Sequence, residues 1–291
     1  IWQEVAMHPP CRHHYLPASH LKRWAKDGLV WRFERVGPQS KLDRQRRAPK
    51  AIGFQKYLYS FENPQNGARE AYLETDFMQL IDDAGAKSID KFIGGQPCGD
   101  REKGALVQFT LSLIYRRPSQ IERLVERLRK EKWWAPVMGD ASIRNVALSL
   151  IGDLIASEAI NAELAGMHAH LISLPVGQRK TFLLCDAPVL SSPGTKYPEA
   201  FIGLPLDPQN FLLFARQQKT VDVFASYPPG RLCRAWNNAI VRQAESIIIS
   251  DTSDPTDMIE RQFLKSSLTA RSELTGIAPW ALPAAWNSIE V

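Results

Sequence analysis

Between Ala68 and Leu171 the apolar residues of this chain recur every three or four positions, whereas the segments on either side alternate or run together in short blocks. A repeat near 3.6 belongs to a helix with one buried face, and a repeat of 2 to a half-buried strand. The two periods cannot share one element. Strands, then helices, then strands again is the order of an α+β fold, here with a mostly helical core, rather than of alternating β-α units.

The first strand signal is Leu29 to Val36, where Leu29, Trp31 and Phe33 alternate with charged Arg32 and Glu34. Ser19 to Lys26 before it reads as a short helix. The aromatic-rich stretch Ile52 to Phe61 is a second extended segment, and the basic run between the two is expected to be the loop of a small antiparallel unit. Tyr72, Leu73, Phe77, Leu80, Ile81, Ala84, Ile89 and Phe92 then mark a helix that Gly94, Gly95 and Pro97 stop. Further helices are predicted over Asp100 to Tyr115, Ser119 to Glu131 and Ala141 to Leu171, with Pro118 breaking the first from the second. Strands are predicted over Thr181 to Cys185, Ala200 to Leu204, Asn210 to Ala215 and Val221 to Phe224. Helices over Arg231 to Ile249 and from Asp254 to Leu268 follow, then an irregular Pro-rich tail from Ala278. With no composition break, all 291 residues read as a single globular unit, with a possible subdivision into 1–66, 67–175 and 176–291.

No apolar run reaches the roughly 18 residues that span a bilayer, and Ile1 to Pro10 lacks the charged-then-apolar order of a signal peptide. Cys11, Cys98, Cys185 and Cys233 lie far apart without a Cys-x-x-Cys pair, so a zinc knuckle and a dense disulfide framework are not indicated. The expected setting is reducing and cytoplasmic, with no membrane partner. A net charge of +5 permits attraction to phosphate polymers, which makes nucleic acid a possible partner. The excess is local, in Lys41, Arg44, Arg46, Arg47 and Lys50 and again from Arg123 to Lys132, where solvated faces explain it equally well.

The most distinctive short segment is His13-His14-Tyr15-Leu16-Pro17. Neutral imidazole accepts a proton or binds a metal, and imidazolium offsets negative charge. Adjacent residues of a strand face opposite ways, so at most one of the two histidines faces a given pocket, and the other is free to hold the turn. His20 follows closely enough to join them. His-His-x-x-Pro also opens the ββα-metal nucleases, but the later Asn and His of that pattern have no counterpart after Trp24.

Other polar residues admit two readings each. Arg116 and Arg117, before Pro118, either cap a helix end or grip a phosphate or carboxylate with a bidentate guanidinium. Asp186, closing the run Phe182 to Val189, is either a catalytic acid at a strand end or an Asx turn. Glu70 and Glu74 fall on one helix face with Asp82 two turns on, either solvent-facing or able to help hold a divalent cation. Asn237 and Asn238 sit early in an apolar helix, buried and bonded or merely cap-like.

These motifs, in this order, resemble the bacterial family called domain of unknown function 4238. The family's opening His-Tyr-x-Pro-x-x-x-Leu-x-x-Phe is similar to His14-Tyr15-Leu16-Pro17-Ala18-Ser19-His20-Leu21-Lys22-Arg23-Trp24, with Trp24 for Phe. Leu73-Glu74, Asp82, Arg116-Arg117-Pro118, Cys185-Asp186-Ala187-Pro188-Val189, Pro205-Leu206-Asp207-Pro208 and Asn237 resemble its later elements, with Asp82 where Glu is usual and Cys185 where Ser is. The resemblance implies an intracellular bacterial protein of unknown activity. The residues themselves lead to the expectation of a hydrolase acting on a phosphate-containing substrate, nuclease-like, in a toxin or phage-defence context. His14, with His13 beside it, is the expected acid or base. Asp186 and Glu74 are expected to position water or a divalent metal (Mg²⁺ or Mn²⁺), Arg116 to stabilise phosphate charge, and Arg117 and Asn237 to bind substrate. The alternative is a non-catalytic nucleic-acid-binding or interaction module in which the same polar residues bond one another.

Overall fold

A computed structural model describes residues 11–37, 41–131, 138–192 and 194–263. In chain order the strands are β1 (Arg12–His14), β2 (Val30–Val36), β3 (Lys41–Arg47), β4 (Phe54–Lys56), β5 (Phe61–Glu62), β6 (Arg69–Glu70), β7 (His168–Ser173), β8 (Leu184–Cys185), β9 (Leu190–Ser191), β10 (Phe201–Pro205), β11 (Asn210–Ala215) and β12 (Ile247–Ser250). The helices are α1 (Ala18–Leu21), α2 (Gln79–Ile93), α3 (Asp100–Tyr115), α4 (Pro118–Arg129), α5 (Asp140–Ala156), α6 (Glu158–Ala165), α7 (Gln218–Ser226), α8 (Pro229–Gln243) and α9 (Thr256–Phe263). A π-helical turn, Leu73–Met78, leads into α2. This is an α+β fold.

Among the described residues the strands form four antiparallel sheets: β1-β4, β5-β6, β7-β11-β10-β9 and β3-β2-β12-β8. The last joins chain regions far apart in sequence. Its central strand β12 is buried along its whole length and pairs with β2 on one side and β8 on the other. Strands covered on both faces are apolar without alternation, which is what Ile247, Ile248 and Ile249 supply. Helices α2 and α3 pack so closely that a Cβ on Gly85 would lie 2.6 Å from the Phe109 ring, so only glycine fits there. Trp24 is wholly buried and its indole N–H donates to the Phe182 carbonyl at 2.8 Å, tying the first segment of the chain to β8. Burying a large apolar side chain stabilises by about 1.5–3 kcal/mol.

Several expected boundaries hold closely: α3 and β11 have the predicted limits. Others differ for physical reasons. The basic segment Lys41–Arg47 is not a loop but the edge strand β3, paired with β2 along its whole length. Val221 to Phe224 is helical, in α7, because Val221 and Phe224 lie three apart on one helix face and both are buried. Arg231 to Ile249 divides into α8 and β12, and Ala141 to Leu171 divides at Ser157, whose ψ of 114° ends α5, before β7. Of the run Phe182 to Val189, only Leu184–Cys185 pairs as a strand. Glu70 belongs to β6 and not to a helix shared with Glu74. The end of the helix predicted to Leu268 and the tail from Ala278 lie outside the described residues.

Candidate functional site

The β1-β4 register sets Arg12 opposite Lys56, His13 opposite Gln55 and His14 opposite Phe54. Strand alternation therefore sends the two histidines to opposite faces. His13 points inward, is fully buried, stacks on Tyr59 at 5.7 Å and accepts the Tyr59 N–H on Nδ1 at 2.9 Å. It holds the turn. His14 points outward and half-buried beside Phe54, with Nε2 3.4 Å from the Lys50 carbonyl. A carbonyl only accepts, so that contact places the proton on Nε2 and leaves Nδ1 as the acceptor. Burial lowers the His14 pKa, the Lys50 contact opposes this, and the Arg116 and Arg12 charges lower it further.

What fixes this strand end is Gly53. Its carbonyl accepts from both the Tyr15 and Leu16 N–H groups, at 2.8 and 3.1 Å. Its φ of +65° disfavours any side chain, and an added Cβ would meet Leu16 Cβ at 2.7 Å.

Glu74 enters from the π-helical turn, a distortion that re-aims side chains and is frequent at functional sites. Its carboxyl faces the His14 backbone N–H and the Arg116 charge, both of which favour ionisation. Burial outweighs them, and with nearby Asp82 it raises the Glu74 pKa to about 7. Its Oε2 has no hydrogen-bond partner among the described residues. Arg116 is wholly buried at the end of α3. Its Nη1 donates to Asp82 Oδ1 at 2.8 Å and its carbonyl accepts the Tyr59 hydroxyl at 2.7 Å. Its Nε and Nη2 find no partner among the described residues. Asp82 has a raised pKa, from burial first, opposed by Arg116. His20 also faces the Arg116 charge; burial between the edges of Trp24 and Phe109 is the main reason its pKa falls to about 3, keeping it neutral.

The structure thus brings His14, Glu74 and Arg116 together, with Asp82 and His20 beside them. It places Asp186, Arg117 and Asn237 in other roles. Asp186 is buried and accepts four hydrogen bonds, from the backbone N–H groups of Glu245 (2.7 Å), Ser246 (2.5 Å) and Ile247 (3.0 Å) and from the Ser246 hydroxyl (2.7 Å). It therefore anchors the entry to β12, and is not an Asx turn. Burial raises its pKa, with Glu245 adding to the effect and these donors opposing it. Arg117 donates from Nη1 to Glu245 Oε1 at 2.7 Å, an oxygen that also accepts the Ser119 hydroxyl. Asn237 accepts the Leu183 N–H at 2.9 Å and donates to the Thr181 carbonyl at 2.8 Å, pinning the approach to β8 onto α8. Adjacent Arg116 and Arg117 diverge because the residue before a proline is driven out of the helical region: ψ is 0° at Arg116 and 144° at Arg117.

Tyr59 escaped sequence reasoning; a buried aromatic in a turn carries no signal that separates it from core. Two clefts lie away from this cluster. One, of about 300 Å³, is lined by Cys98, Lys103, His168 and His170; the other, of about 390 Å³, by Glu62, Glu122, Arg129 and Asp140. Among the described residues no three His, Cys, Asp or Glu side chains are grouped to hold a metal ion, and no helix is long and apolar enough to cross a membrane.

The order of these elements, from the His14 strand through the Arg116 break to the start of the segment after β12, coincides with a family model described as "Protein of unknown function (DUF4238)", which matches residues 12–254. The chain belongs to that family. No curated protein and no solved structure matches this DUF4238 chain significantly.

Proposed function

We propose that the chain is a hydrolase of a phosphate-containing substrate, nuclease-like in its chemistry, with His14 and Glu74 as the acid–base pair and Arg116 as a buried source of positive charge. One observation carries this reading: a carboxyl whose pKa is raised to about 7, with an unpartnered oxygen, sits against the backbone N–H of His14 and beside an arginine with two unpartnered donors. A group poised near neutral pH gives up and takes back a proton at least cost, and buried unpaired polar atoms concentrate at functional sites. In the proposed step His14 Nδ1 takes the proton of the attacking water or hydroxyl as its oxygen bonds to phosphorus. Protonated Glu74 returns a proton to the leaving oxygen. Arg116 stabilises the negative charge through the protein rather than by contact, since it is fully enclosed. Four free cysteines accord with a reducing, cytoplasmic setting.

The second reading is a non-catalytic module. It draws on the complete burial of Arg116 and on its bonds to Asp82 and Tyr59, which tie α2, α3 and the segment after β4. Purified protein assayed on single-stranded RNA and DNA, with and without Mg²⁺ or Mn²⁺, decides between them. We expect cleavage that falls by about 100-fold or more in Glu74→Gln and His14→Asn while the melting temperature does not fall. Absence of cleavage under all these conditions, with both variants folded, rejects the hydrolase of nucleic acid.

A further inference from the structure

The strands that carry His14 also build a surface that extends beyond the acid–base pair. Opposed residues of a strand pair project to one face, so Arg12, His14, Phe54 and Lys56 share the outer face of β1-β4. The Arg12 guanidinium lies 4.9 Å over the Phe54 ring. Just after β4, Tyr57 takes a φ of 57° and turns outward, 38% exposed, with the Arg69 guanidinium 4.5 Å over its ring. Tyr72, two residues before Glu74 and 48% exposed, stacks on Phe61 at 4.6 Å. Lys50 and Lys56 are exposed. The acids nearby are Glu62, paired with Arg69, and exposed Glu70 and Asp153, both of which act on Tyr72.

Cations that track a phosphate backbone, interleaved with outward rings on which bases stack, are what a single strand of nucleic acid requires. A duplex buries its base faces and offers only edges, so these rings have nothing to stack on without unpairing it. We propose that this face binds single-stranded nucleic acid, bases stacking on Tyr57 and Tyr72 and phosphates lying against Arg12, Lys50 and Lys56. The proposal rests on the reading of the His14–Glu74 site as acting on phosphate, and names the form in which that substrate arrives.

Fluorescence anisotropy of labelled oligothymidylate, and of the same strand annealed to oligodeoxyadenylate, tests it on full-length Glu74→Gln protein, so that binding is read without cleavage. The single strand should bind more tightly than the duplex. Tyr72→Ala and Tyr57→Ala should each weaken it by about 5- to 150-fold, and Tyr72→Leu, which keeps apolar bulk, in the same direction. Lys56→Ala should lower the slope of log affinity against log salt by about 0.7. Equal or tighter binding of the duplex, tyrosine variants with unchanged affinity, or competition by polyglutamate as strong as by unlabelled oligothymidylate overturns the proposal. Stacking-dependent binding without cleavage by the wild type keeps this proposal and sinks the hydrolase. Cleavage with tyrosine-independent binding does the reverse.

Discussion

Arg116 and Arg117 are neighbours in sequence and belong to opposite kinds of polar network. Arg117 joins a network in which Glu245 accepts from it and from Ser119, and Asp186 accepts four further bonds. Arg116, buried more completely, spends one guanidinium bond on Asp82 and leaves two donors unpartnered, with its charge acting on Glu74, one of whose oxygens is also unpartnered. A buried polar atom without a partner costs about 1–3 kcal/mol. Asp186 and Arg117 carry no such atom among the described residues. The Arg116 side carries two, in keeping with the acid–base role proposed for it.

The contrast breaks first, if it is wrong, at Asp186. Asp186→Ala strands four donors, and we expect a loss of about 4 kcal/mol in urea unfolding. A variant of wild-type stability lacking only activity would move Asp186 to the other network. Next comes Arg116→Met, which leaves Asp82 buried without its cation and should cost about 3 kcal/mol. Arg116 also lowers the Glu74 pKa, so in this variant NMR titration of the Glu74 carboxyl should give a midpoint above the wild-type value of about 7. A midpoint that stays put would show that the two do not interact.

Glu74→Gln sharpens the comparison through pH. The folded pKa, about 7, lies above the unfolded value of 4.5, so the folded state holds more protons between those limits and wild-type stability falls as pH rises from about 4.5 through 7. The shift sets a ceiling of about 3 kcal/mol, of which partial solvation should leave about 2. The Gln variant should lack this decline when unfolding is followed from pH 5 to 8; an identical slope in both proteins would place the carboxyl in ordinary solvent. The smallest effect, about 1 kcal/mol, is expected for Asn237→Ala, which frees the Leu183 N–H, the Thr181 carbonyl and the weak acceptor Cys233 Sγ. Thermal melts with no loss of nucleic-acid affinity would assign it to the Asp186 kind.

Sequence reasoning succeeded where one period ran long enough to be unambiguous. The apolar stripe from Asp100 to Tyr115 and the unbroken apolar run of β11 fixed their own limits. It failed on short apolar blocks, where Val221 to Phe224 fits either period and packing against β7 and β11 decides. In the site, alternation along one strand was enough to say that His13 and His14 diverge, and the structure sends His13 inward and His14 outward. Asp186 was not legible in the same way. Its four donors lie about sixty residues downstream, three of them backbone groups that any sequence supplies. Adjacent motifs therefore looked alike on paper though the fold uses them differently.

The divergence at the α3–α4 break has a dynamic consequence. One peptide unit connects the Arg116 carbonyl, which holds Tyr59, to the Arg117 side chain, which holds Glu245. Any fluctuation that straightens the backbone ahead of Pro118 must release both at once. Amide hydrogens of Tyr59, bonded to His13, and of Glu245, Ser246 and Ile247, bonded to Asp186, should therefore exchange with solvent as a single cooperative unit, although almost two hundred residues of chain separate them.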